Sequence, residues 1–225
     1  WPMPRAAWPT SPASKRTDGR ACCGCSHATP RPQVVSTWQA ERVDAADVEA
    51  DLAEVLLTEQ QIVARAAEMA RQIEQDYAGR DLLLVGVLKG AVMVMADLAR
   101  SFSTHVGMDW MAVSSYGSGT KSSGVVRIMK DLDSDITGRD VLVVEDIIDT
   151  GLTLSWMMSN LRSRRPASVE IVTMLRKPDA MRIPLDVRYV GFDIGNDFVV
   201  GYGLDFAERY RNLRCIARLR PEFYS

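Results

Sequence analysis

Long apolar runs are missing from this 225-residue chain. No stretch approaches the roughly 20 apolar residues that a membrane-spanning helix needs, and the opening residues are too rich in Pro, Ser and Arg for the apolar core of a secretory signal. A cytoplasmic location is the expectation. An excess of charge is missing too: 27 Lys and Arg face 29 Asp and Glu, a formal net charge of -2. Binding to nucleic acid or an anionic membrane needs a cationic field, so neither partner is expected. Histidine is scarce, and His27 and His105 stand in no catalytic or ligand pattern. Of the 4 cysteines, Cys22, Cys23 and Cys25 crowd one polar stretch while Cys215 lies far off in an apolar segment, which is no disulfide framework. The spacing C-C-x-C also lacks the paired CxxC units of a structural zinc site, with His27 as the sole nearby fourth ligand. Neither the G-x-x-x-x-G-K-S/T phosphate loop nor the G-x-G-x-x-G dinucleotide turn occurs.

What is present suffices for one sizeable core, since 47% of the residues are hydrophobic and 25% charged. From Trp1 to about Asp51 the chain is punctuated by Pro4, Pro9, Pro12, Pro30 and Pro32 and keeps no helical or strand period. Residues 1–51 are therefore expected to be a flexible extension, and residues 52–225 the folded domain. Order is expected to begin near Thr58, where Thr58-x-x-Gln61 makes a capping box and Ile62, Ala66, Met69 and Ile73 recur at helical spacing up to Gly79. Leu82 to Leu88 is an apolar run of strand length, Gly90 a turn, and Ala91 to Ala99 a helix. Met108 to Tyr116 and Val126 to Asp131 read as strands of a long hairpin whose Gly-, Ser- and Thr-rich tip runs from Gly117 to Gly124. Val141 to Val144 reads as a short buried strand, and the chain from Gly151 as a helix carrying Leu154, Met157, Met158 and Leu161. Strands near Val169 to Leu175 and Val187 to Phe192 follow. Strands apolar on both sides, alternating with helices, indicate an α/β domain: a mainly parallel twisted sheet flanked by helices.

In Val141-Leu-Val-Val-Glu145-Asp146-Ile-Ile-Asp149-Thr150-Gly151-Leu-Thr153, four apolar residues run into three carboxylates and then into a turn that opens a helix. Ligands of open α/β sheets bind outside the carboxyl ends of the strands, so these acids face the crevice where a ligand would sit. The helix start supplies unpaired N–H groups and a positive dipole end, Thr150 and Thr153 supply hydroxyls, and Gly151 permits close backbone approach, which together suit a phosphate monoester. Two adjacent acids beside a phosphate cradle call for sugar hydroxyls, a divalent cation or both. An edge strand with an ordinary helix cap would explain any one of these features but not all of them together.

The segment resembles, almost residue for residue, the phosphoribosyl pyrophosphate signature of type I phosphoribosyltransferases in their hypoxanthine-guanine, bacterial-type form. The resemblance runs from about Leu56 to the C-terminus. It implies that Glu145 and Asp146 face the ribose hydroxyls and the Mg2+ shell, that Thr150, Gly151, Leu152 and Thr153 hold the 5′-phosphate, and that Asp149 is the general base taking the purine N7 proton. Leu88-Lys89-Gly90-Ala91 resembles the family's pyrophosphate loop, with a peptide between Leu88 and Lys89 that can be cis and with Ala91 where the family often has a second glycine. Arg176-Lys177-Pro178 and Asp197 to Asn212 resemble the base-binding part. There Lys177 donates to the 6-oxo group, Phe198 stacks on the purine beside Ile147, the Val199 carbonyl accepts from the amine of guanine, Asp205 reaches the metal through water, and Arg211 contacts pyrophosphate. Ser115-Tyr116 resembles the start of a flexible β-hairpin lid, and the family's fold adds a small hood element.

By this resemblance the chain is a purine salvage transferase that joins hypoxanthine or guanine to phosphoribosyl pyrophosphate, giving IMP or GMP, with Mg2+ as cofactor and a homodimer or homotetramer as its assembly. Taken singly, Phe198 fits core packing, Arg211 a surface ion pair and Lys89 an exposed helix-start lysine. A phosphoribosyl-pyrophosphate-sensing regulator that binds nucleic acid is the alternative of another class, disfavoured by the missing basic stripe. A xanthine-preferring or uracil-using relative is the nearest rival among enzymes.

Overall fold

The structure, a computed structural model, describes residues 43–115 and 126–224. The Cys22, Cys23 and Cys25 group, His27, Tyr116 and the Gly117 to Gly124 tip lie outside the described residues. Thr58 caps the first helix, α1 (Glu59–Asp76), as its spacing predicts. Its hydroxyl accepts from the Gln61 N–H at 3.3 Å, while the Gln61 side-chain oxygen accepts from the Thr58 N–H at 2.9 Å. The recurring Ile62, Ala66, Met69 and Ile73 form its buried stripe.

A six-stranded sheet carries the fold. Its strands are β2 (Leu82–Leu88), β3 (Gly107–Ser115), β4 (Val126–Lys130), β5 (Asp140–Ile148), β6 (Ser168–Arg176) and β7 (Tyr189–Asp193), in the order β4-β3-β2-β5-β6-β7. All neighbours are parallel except β3 and β4, the arms of the expected hairpin. Side chains alternate across a strand, so the apolar runs of β2 and β5 feed two cores. Leu82, Leu84, Leu142 and Val144 pack under α1 and α2 (Val92–Ser101). Leu83, Val85, Val141 and Val143 pack under α3 (Leu152–Ser163), with its Leu154, Met157, Met158 and Leu161. Among the described residues no helix is long and apolar enough to cross a membrane.

Two expectations need correction. The strand read as Val141 to Val144 continues through the acids to Ile148, because β6 is long enough to pair with it: Glu145 lies opposite Thr173 and Ile147 opposite Leu175. Order also begins before Thr58. Strand β1 (Leu52–Leu57) joins β9 (Ile216–Leu219) and β8 (Val199–Val200) in a three-stranded antiparallel sheet of order β1-β9-β8, which is the hood element. Within the extension expected to reach residue 51, Ala45–Val48 form a 3-10 turn, and the Asp51 carboxylate accepts from the Tyr210 hydroxyl at 2.7 Å.

Asp109 ties β3 to the segment between β4 and β5. Burial alone would raise its carboxyl, but N–H groups of Trp110 at 2.7 Å, Ser134 at 3.1 Å and Asp133 at 2.9 Å, with Lys130 alongside, outweigh that and hold it below its ordinary value. A depressed carboxyl stabilises the fold above the ordinary value, about pH 4, and the contribution disappears as pH falls through the folded value. Asp109→Asn keeps the volume but turns an amide toward backbone donors, so a loss of about 1–3 kcal/mol is expected in urea denaturation at pH 7. The gap to the parent chain should close below about pH 4; an equal gap at pH 3 would refute the account.

Candidate functional site

Strands β2, β5 and β6 end on the same side of the sheet, and a cavity of about 420 Å³ opens there. The end of β2 contributes Lys89 and Gly90, following a cis peptide between Leu88 and Lys89. The end of β5 contributes Glu145, Asp146, Ile147 and Asp149, and the residue after β6 contributes Lys177. Phe198 and Val199, with Asp205 and Arg211 from the loops beyond β8, complete the opposite wall. A smaller cavity of about 170 Å³ is lined by Glu145, Ile147 and Asp149 and by the whole turn Thr150, Gly151, Leu152 and Thr153. Residues drawn from segments more than 100 positions apart therefore line one cavity. Ser115 ends β3 opposite Val126, and its neighbour Tyr116 lies outside the described residues.

The turn at Thr150 is shaped for an anion. Gly151 takes a left-handed backbone at φ +77 and offers no side-chain cap, so among the described residues the first N–H groups of α3 have no side-chain or intrahelical partner. The Arg182 N–H holds the Thr150 carbonyl at 3.1 Å, fixing the turn from outside. Among the described residues neither threonine hydroxyl is engaged by a side chain or backbone group.

Beside this turn the acids are crowded. Burial, then the Asp146 charge, holds the Glu145 carboxyl well above the usual range, and burial pushes Asp146 up to about 6 although the Ile147 N–H and the Arg211 charge oppose it. Gly90 passes so close that a Cβ there would lie 1.6 Å from Asp146 Oδ2. Lys177 is buried, its N–H bound to the Ile148 carbonyl at 2.9 Å, and among the described residues its ammonium has no partner. The paired acids call for cations and donors, which a hard cation and sugar hydroxyls would supply. Among the described residues no three His, Cys, Asp or Glu side chains form a ready-made cage. Magnesium fits that donor set, because it is commonly held by one or two carboxylates together with substrate phosphates.

Two cations of the site, Lys89 and Arg211, are paired with surface carboxylates. Lys89 Nζ lies 3.1 Å from Glu208, and Arg211 lies 2.8 Å from Asp205 and 3.4 Å from Glu208 while donating to the Gly203 carbonyl at 2.8 Å. Asp205 also accepts from the Glu208 N–H at 2.8 Å, so both of its oxygens are engaged in orienting this corner. Sequence reasoning missed Glu208. Its one local signal is the three-residue spacing from Asp205 and to Arg211; its bond to Lys89 spans 119 positions.

A family model described as phosphoribosyl transferase domain matches residues 53–207. The chain is 58% identical over 180 residues to hypoxanthine-guanine phosphoribosyltransferase of Mycobacterium tuberculosis, covering 77% of this chain and 89% of that one. It is 46% identical over 178 residues to the enzyme of the same name from Streptococcus thermophilus, covering 79% and 99%. A crystal structure of a hypoxanthine phosphoribosyltransferase from Staphylococcus aureus superposes with a TM-score of 0.77 at 49% identity, covering 80% of this chain and 97% of that one.

The contact at Gly90 generates a test. Gly90→Ala must displace the Asp146 carboxyl, so affinity for a phosphorylated sugar should fall at least tenfold, roughly 1.4 kcal/mol, while the far-ultraviolet circular dichroism is retained. Calorimetric titration with unaltered affinity would show that the loop tolerates the methyl group.

Proposed function

This chain belongs to the phosphoribosyl transferase domain family, and on that premise we propose that it is a hypoxanthine-guanine phosphoribosyltransferase of purine salvage, forming IMP or GMP and pyrophosphate. One observation carries the reading: the purine-facing set Lys177, Phe198 and Val199 shares a single cavity with Asp149, the paired acids and the cations Lys89 and Arg211. The names of the relatives, and the retention of that purine-facing set, favour the enzyme over a nucleic-acid-binding regulator.

The bond from ribose C1 to pyrophosphate breaks, its electron pair leaving with pyrophosphate, and the purine nitrogen forms the new bond from the opposite face. Asp149 takes the N7 proton as positive charge builds on the base. Lys89 and Arg211 stabilise the departing phosphates once these displace Glu208 from them. Glu145 and Asp146 orient the ribose hydroxyls, and the Thr150 to Thr153 turn holds the 5′-phosphate, so the sugar is fixed at two ends. Glu145 and Asp146, with Asp205 beyond them, would hold magnesium, which would supply charge neutralisation for the pyrophosphate. Lys177 selects 6-oxopurines, since the amino group of adenine would confront it with a second donor and leave the buried ammonium unpaired. Self-association into dimers or tetramers and a cytoplasmic location belong to the same proposal.

The assay is direct. With phosphoribosyl pyrophosphate and magnesium, separate incubations with hypoxanthine, guanine, xanthine, adenine and uracil should yield IMP and GMP, identified by mass; nucleotide from uracil or adenine alone would reassign the substrate. Asp149→Asn should bind phosphoribosyl pyrophosphate normally and lose about 10²- to 10⁴-fold in turnover, and an unchanged kcat would remove Asp149 from the base role.

A further inference from the structure

We propose that Tyr224, in the C-terminal turn, is a positioning residue for the purine: it stacks on the far face of Phe198 and holds that ring against the base. The inference rests on the assignment of Phe198 to the base given above. The Phe198 and Tyr224 rings lie with centroids 4.8 Å apart and planes 24° from parallel, while Phe206 meets Phe198 edge-on at 5.7 Å and 89°. A ring has two faces. Phe198 lines the cavity and Tyr224 does not, so Tyr224 covers the face turned away from the ligand, with Phe206 set perpendicular to the Phe198 ring.

Backbone bonds alone do not fix the orientation of the Phe198 ring. The Leu219 N–H holds the Phe198 carbonyl at 3.0 Å, and Val199 pairs with Arg218, yet both leave the side-chain torsions free. The two aromatic contacts restrict them. Tyr224 is itself presented by an anchored segment. Arg220 donates from its N–H to the Asp51 carbonyl and from Nε to the Leu52 carbonyl, each at 3.0 Å, and the 3-10 turn Pro221–Phe223 ends with the Tyr224 N–H on the Pro221 carbonyl at 3.1 Å. At 40% exposure Tyr224 adds little to either main core, so its packing role is concentrated in the stack. Stacking a purine on a ring already backed by another ring costs less ordering than stacking it on a free one, and this gain is realised when the base binds.

Full-length parent chain, Tyr224→Phe and Tyr224→Ala would be compared in steady state, varying hypoxanthine at saturating phosphoribosyl pyrophosphate and the converse, with thermal unfolding as control. Tyr224→Ala should raise the KM for hypoxanthine roughly threefold to tenfold, leave the KM for phosphoribosyl pyrophosphate and the unfolding midpoint unchanged, and be rescued by Tyr224→Phe. An unchanged or lowered KM for the base in Tyr224→Ala, a rise in both KM values, or failure of Tyr224→Phe to rescue would overturn the positioning role while leaving the enzyme assignment intact. A parent chain that forms no nucleotide from any base would instead sink the assignment, and the positioning role with it.

Discussion

Two carboxylates side by side at the end of a buried strand repel each other and any anion that approaches, unless a cation or hydrogen-bond donor comes between. Glu145 and Asp146 stand in that relation, and burial raises both. Much of the surrounding architecture follows from where they sit. They are still within β5, held by pairing to β6, so the acids cannot swing away to relieve the repulsion. Gly90 lies against Asp146 closely enough to exclude any side chain, which makes the placement of the neighbouring Lys89 dependent on the acid. The Arg211 charge steadies Asp146 while the Asp205 charge opposes it, so the corner is balanced rather than neutral.

That corner joins the two sheets. A Cβ on Gly203, at φ +97, would lie 2.1 Å from the Gly90 carbonyl, so the loop after β8 meets the loop after β2 with no space for a side chain. Next to it, Tyr202 donates to Asp97 at 2.7 Å, and Asp97 lies on α2, the helix that follows Lys89. Arg211 then donates to the Gly203 carbonyl. The residues proposed to face the base, beside β8, and those proposed to face the phosphates, in the parallel sheet, are thereby held at a fixed separation by backbone contact. A ligand that must be gripped at its sugar, its leaving group and its attacking base benefits from such rigidity, because misplacement of reacting atoms by an ångström costs rate heavily.

Local signals in the sequence carried most of the large sheet. The Thr58 capping box, the heptad-like stripe of α1 and the two-sided apolar run of β2 each depend on neighbours within a turn or a strand, and each appears as read. The hood was legible only through family resemblance. In β1 just Leu52 and Leu57 are buried, at opposite ends of the strand, so no alternation marks it, and its partner β9 lies at the far end of the chain. The length of β5 was underread for a related reason: acids are poor strand formers, and their place in the sheet is decided by β6. The acid-turn-helix segment was legible because its residues are contiguous, whereas Glu208 owes its place to contacts that no local spacing encodes.

The cavity charges follow one logic. Lys89 and Arg211 are held by Glu208 and Asp205, pairs that are partly or largely exposed and so individually weak, about 0–1 kcal/mol. Among the described residues the deeper pair, Glu145 and Asp146, makes no ion pair with a cation, the Arg211 charge acting on Asp146 without a direct contact. Cations are therefore on loan to surface carboxylates while the acids await neutralisation. A ligand that brings phosphates for the first set, with hydroxyls and a divalent cation for the second, exchanges weak pairs for strong ones and relieves the buried repulsion in the same event. A ligand with only one of these features leaves part of the site unsatisfied, so a phosphorylated sugar with its metal is discriminated from a bare phosphate or a bare base by the incomplete neutralisation that each would leave behind.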